Sequence, residues 1–121
     1  MSISLTIPGD AAHLAVLRAT VASVAARAHL TIDQVEDVRL AVEEAASTLL
    51  SGVPESIETT MDVGSHPLVV RMVARTTSAV ELDPAGFSYT ILTAMTDGLT
   101  IDADGDDVVL TMHFSTLATS R

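Results

Sequence analysis

Glu44 and Thr48 stand four positions apart in VRLAVEEAASTLL, residues 38–50. On a helix, side chains at i and i+4 lie one above the other, so a carboxylate and a hydroxyl would share one strip. Such a pair could supply a general base, or hold a water on a metal ion. The competing reading is a solvated helix flank that carries a polar pair.

Other candidates for chemistry are weaker. His13, His29, His66 and His113 are scattered over different predicted elements, and metal ligands must converge. Asp102, Asp104, Asp106 and Asp107 surround Gly105, but residue 111 is Thr where a calcium loop requires Glu, so an acidic turn is the better reading. There is no Cys, which excludes disulfides, thiol catalysis and thiolate metal sites.

Composition narrows the function classes. Hydrophobic residues make up 48% and charged residues 18% of 121, which fits one globular domain, residues 1–121. Aromatics are 2%, so Leu, Val, Ile, Ala and Met build the core, and the five Met fill its gaps. Net charge is −10 and every basic residue is Arg. That balance speaks against nucleic acid and against an anionic membrane surface, and suits a basic protein partner. The first residues, MSISLTIPGD, lack the basic and long apolar segments of a signal peptide. No apolar run is long enough to span a membrane, and a cytoplasmic location is expected.

The elements that must position Glu44 and Thr48 follow from periodicity. Residues 2–7 alternate as a strand, closed by Pro8-Gly9, with Asp10 as N-cap of a helix over 11–28. Thr31 and Gln34 form a capping box that opens a second helix, ending at Gly52 before Pro54. On it Val35, Val38, Val42, Ala45 and Leu49 make the core stripe, Glu44 and Thr48 sit beside that stripe, and Leu40 lies off it. Strands are expected over 56–63 and 68–76 around a turn at 64–67. Residues 77–85 read as irregular. A short third helix over 87–95 stops at Gly98, and 99–103 pairs with 108–115 as a hairpin. The order β-α-α-β-β-α-β-β implies an α+β two-layer sandwich, with a mixed, mostly antiparallel sheet covered on one face by helices.

This order, with A-V-E-E-A-x-S-T-L on the second helix, resembles the GHKL ATPase/kinase fold. Within it the chain looks like anti-sigma factors of the RsbW type, especially the actinobacterial ones. Helix VEDVRLAVEEAASTLL is similar to that family's N-box helix. So is FSYTILTAMTDGLTIDADGDDVVLTM, where L-x-x-M-x-D leads into the last two strands. The resemblance covers nearly the whole chain.

The resemblance implies roles and exposes departures. The family's N-box glutamate, the general base of protein phosphorylation, corresponds to Glu44. Its Mg-binding asparagine falls on Thr48, a poorer ligand. The adenine-reading aspartate of a D-x-G-x-G turn has no counterpart at Thr76-Thr77-Ser78-Ala79; the nearest is Asp83, followed by Pro84. The phosphate-cradling glycine loops and lid are missing: only Gly86 stands between Thr76 and the third helix, and Arg75 is the one basic residue nearby. Phosphate cradles need backbone N–H groups presented by glycine-rich turns. The expectation is a reduced, lid-less fold with a degenerate nucleotide site, Glu44 being a vestigial base and no ATP or Mg²⁺ required.

The expected function is an anti-sigma factor that sequesters an alternative sigma factor stoichiometrically. Its release would come from an anti-anti-sigma protein of the STAS type. Arg18 and Arg27 on the first helix, with Glu36, Asp37 and Glu43 near the second, are the candidate partner contacts. A homodimer could pair through the edge strand 2–7. The alternatives are an ATP-dependent serine kinase acting on the antagonist, with Glu44 as base, and a small-molecule sensor domain.

Overall fold

A computed structural model describes residues 1–64 and 67–115. His66 and the tail 116–121 lie outside the described residues. Within them the elements are β1 (Ser2–Pro8), a 3₁₀ turn (Ala11–His13), α1 (Leu14–Ala25), α2 (Ile32–Leu50), β2 (Ser56–Asp62), β3 (Leu68–Arg75), α3 (Phe87–Met95), β4 (Gly98–Asp104) and β5 (Asp107–Phe114).

The five strands form one sheet in the order β1-β2-β3-β5-β4. Every pairing is antiparallel, so the sheet is not mixed. The last hairpin enters with β5 inward against β3, which leaves β4 at one edge and β1 at the other.

Register explains the two layers. One transverse row reads Ile3, Met61, Val70, Met112, Leu99, and the next inward row reads Leu5, Thr59, Met72, Leu110, Ile101. These face the helices. Between them the outward row Ser4, Thr60, Arg71, Thr111, Thr100 is polar, with Ser4 and Thr60 hydroxyls 3.0 Å apart. Period-two alternation thus gives the sheet one wet face and one dry face.

On the dry face α2 packs against both α1 and α3 and reaches the inner strands β3 and β5. Its Val38, Ala41, Val42, Ala45, Ala46 and Leu49 are essentially inaccessible, while Val35 is half-buried. The Thr31–Gln34 capping box forms in both directions, Thr31 N–H to Gln34 Oε1 at 2.8 Å and Gln34 N–H to Thr31 Oγ1 at 3.1 Å. The first helix is shorter than its sequence pattern. Asp10 caps the 3₁₀ turn through Ala12 N–H at 2.9 Å, and α1 ends at Ala25.

The second helix ends at Leu50, two residues before Gly52. The left-handed residue there is Val53, at φ 54°, not Gly52. Gly52 is needed for space: a Cβ would meet Val80 Cγ2 at 2.5 Å and Thr76 Cγ2 at 2.7 Å. Gly9 is similar, since a Cβ would lie 1.9 Å from the Pro54 carbonyl oxygen. Two close approaches therefore tie the start of the chain and the β3–α3 connection to the C-terminus of α2.

Gly52→Ala should cost about 1–3 kcal/mol, as overpacking does, read by denaturant unfolding. Thr59 is fully buried, and its hydroxyl has no hydrogen-bond partner among the described residues. Thr59→Val should raise stability by about 1 kcal/mol, because an unpaired buried hydroxyl is replaced by a methyl of similar shape. A loss in the same assay would show that the hydroxyl is satisfied.

Candidate functional site

Glu44 and Thr48 both line a cleft of about 320 Å³ between α2 and the segment that leads into α3. Its other walls include Ser47, Ser51, Glu81, Leu82, Asp83, Gly86, Phe87, Ser88 and Tyr89. The juxtaposition follows from α3 packing beside α2, which carries the α3 N-terminus over the middle of α2.

Glu44 and Thr48 do not bond to each other through their side chains. Thr48 is nearly buried, and its Oγ1 donates to the Glu44 main-chain carbonyl at 3.0 Å. The Glu44 carboxylate is half-buried and accepts instead from Ser88 Oγ at 2.7 Å. A serine hydroxyl on a glutamate oxygen at this distance is the ground-state geometry of a base and its proton donor. Here the donor is the chain's own.

Asp83 does reach the cleft wall. Its Oδ1 accepts from Ala85 N–H at 2.9 Å, and its carbonyl accepts from Gly86 N–H at 2.8 Å. The carboxylate thus organises the turn DPAG that launches α3. Arg75 lies elsewhere: it sits on the wet face of the sheet and pairs with Asp107 at 3.3 Å. The cleft lining therefore holds Glu44, Glu81 and Asp83 and no basic side chain.

A polyphosphate does not fit this lining, because it would meet carboxylates where it needs cations and clustered N–H donors. The β3–α3 connection is also held down. Thr77 and Ser78 N–H donate to the Gly52 carbonyl at 2.9 and 3.0 Å, beneath which Val80 packs on Gly52. That tether occupies the α2 C-terminus with chain, in place of a glycine loop. Among the described residues no three His, Asp or Glu side chains converge as a metal site.

The charges expected to meet a partner are partly spent inside the fold. Arg18 Nε lies 3.3 Å from Glu43 Oε2, an ion pair between α1 and α2. Arg39 pairs with Glu36 and, at 3.7 Å, with Glu43. Arg27 is exposed in the turn after α1, not on the helix. Asp37 is half-buried beside Gln34, Asp97 and Ser115 in a separate groove.

Ser47, Phe87, Ser88 and Tyr89 belong to the cleft but were not singled out in the sequence. The available signal was Phe87 itself, an aromatic at the first turn of a helix after Gly86.

Arg39 hydrogen-bonds both Glu36 oxygens, with Nε to Oε2 at 3.1 Å, and this holds the Glu36 carboxyl below its ordinary value. A lowered carboxyl stabilises the folded state above its unfolded pKa and loses that contribution as pH falls through its folded pKa. An NMR titration of Glu36 in Arg39→Ala should therefore move upward; an unchanged titration would refute the pairing.

No family model matches the chain. Two curated relatives, both the anti-sigma-F factor RsbW of Mycobacterium tuberculosis (strains CDC 1551 / Oshkosh and H37Rv), are 29% identical over 106 residues, 86% of this chain. The chain spans 63% of their length. A crystal structure of the RsbU and RsbW domains of a Mycobacterium tuberculosis protein superposes with TM-score 0.75 at 11% identity, over 95% of this chain and 32% of that one. That likeness concerns the fold. The chain is thus similar in sequence to RsbW anti-sigma factors, and its α+β fold is shared with part of the solved RsbU–RsbW structure.

Proposed function

We propose that this chain is an anti-sigma factor that sequesters an alternative sigma factor by stoichiometric, nucleotide-independent binding. The similarity to the anti-sigma-F factor RsbW over 86% of the chain carries the proposal. The nucleotide-independent part rests on the acidic cleft, whose lining offers a triphosphate no cation. The net charge of −10 suits a basic helical partner. Arg27 and Asp37, which make no ion pair among the described residues, are the freer partner contacts of those predicted. Release by an anti-anti-sigma protein, a cytoplasmic setting and a homodimer through the β1 edge complete the proposal. No helix among the described residues is long and apolar enough to cross a membrane.

One observation favours a second reading, an ATP-dependent serine kinase acting on the antagonist. The Glu44 carboxylate accepts a serine hydroxyl at 2.7 Å, the contact that a base acting on a serine would make.

Calorimetric titration with the host's stress-type sigma factors, with and without Mg-ATP, tests both readings. The expected outcome is tight binding that ATP leaves unchanged. Binding that requires ATP, with label transfer to the antagonist lost in Glu44→Ala, would establish the kinase. No binding to any sigma factor would refute the anti-sigma reading.

A further inference from the structure

A second groove, about 370 Å³, runs between α2 and α3 and is lined by Leu40, Glu43, Glu44, Ser47, Ile91 and Met95. It shares Glu44 and Ser47 with the cleft. Its apolar wall is unusual for so polar a surface. Phe87, Ile91 and Met95 recur at i, i+4 and i+8 on α3, which places them along one strip. Phe87 is 79% exposed and Leu40 on the facing helix is 37% exposed. In a chain with 2% aromatics, an exposed Phe at the head of such a strip is not filling the core.

The groove's charge is of one sign. Its ionisable groups are Glu43 and Glu44, and the adjoining cleft adds Glu81 and Asp83. Glu43 is shared with Arg18 and Arg39. Among the described residues Glu44 accepts only a serine hydroxyl, and neither Glu81 nor Asp83 has an ion pair. An apolar strip flanked by the carboxylates of Glu44, Glu81 and Asp83 repels nucleic acid and anionic lipid. It offers no free backbone edge to an extended peptide, because both walls are helices. What it complements is an amphipathic helix with an apolar stripe and Lys or Arg beside it. The nine residues of α3 span about 13 Å, room for two to three turns of such a helix.

We propose that the α2–α3 groove is a docking site for a basic amphipathic helix of a protein partner, with Leu40, Phe87, Ile91 and Met95 as the apolar seat. Glu44 and its acidic neighbours contact the basic flank. This deepens the anti-sigma reading, on which it rests only for which protein carries the helix.

The test is an NMR titration of the ¹⁵N-labelled full chain with a synthetic Leu/Arg amphipathic peptide of about 18 residues, long enough to form helix. A control peptide carries Glu in place of Arg. Shifts should concentrate in residues 40–47 and 87–95. Leu40→Asp should weaken the Arg peptide at least about tenfold, and the Glu peptide should bind at least about tenfold less tightly. Leu40 lies outside the buried core, and Leu40→Ala, expected to weaken binding more mildly, guards against a folding defect. Shifts mapping elsewhere, equal binding of both peptides, or self-association by light scattering that Leu40→Asp abolishes would each overturn the proposal. A sigma factor that binds wild type and Leu40→Asp equally would also overturn it, and would leave the anti-sigma reading standing. Peptide binding in the groove, with no sigma factor bound, would uphold the groove and remove that reading.

Discussion

The inner face of α2 is built from Ala41, Val42, Ala45, Ala46 and Leu49, none of them measurably open to solvent. Small residues at these positions let one helix touch the sheet, α1 and α3 together. A large side chain at Ala41 or Ala46 would separate the layers, because a close-packed interior has no volume to absorb it. The position of α3, and with it the cleft and the groove, follows from that contact.

The same helix carries the polar residues. Glu44 and Thr48 lie where the buried stripe gives way to the surface, so burial is graded across one turn of helix. Thr48 answers it by bonding backward to the Glu44 carbonyl, and Glu44 answers it by accepting the Ser88 hydroxyl. Both polar groups are satisfied without a ligand. Glu44 thus accepts a hydroxyl in a cleft whose other ionisable side chains, Glu81 and Asp83, are also carboxylates.

Connections matter as much as helices. Pro54, Gly9, Gly52, Thr76 and Val80 meet at the C-terminus of α2, where two glycines give room for backbone and side chains to touch. Val53 takes the left-handed conformation beside them, a costly place for a β-branched residue, and its carbonyl accepts from Thr77 Oγ1 at 3.1 Å. The β3–α3 connection is thereby fixed against the helix.

Much of this was legible in the sequence. Period-two and period-3.6 patterns, the Thr31–Gln34 box and the Gly/Pro punctuation determine each element and the two-layer class, since these signals are local. Glu44 and Thr48 beside the core stripe were likewise readable from spacing. Tertiary structure alone decided the strand order, because pairing β5 with β3 depends on contacts distant along the chain. It also decided that Ser88 meets Glu44, forty-four positions away, that Arg75 points to the opposite face from the cleft, and that Arg18 and Glu43 form an ion pair between two helices. Periodicity assigns a side chain to a face of its own element. Which other element that face meets is set by packing, and that is where the cleft acquired its charge.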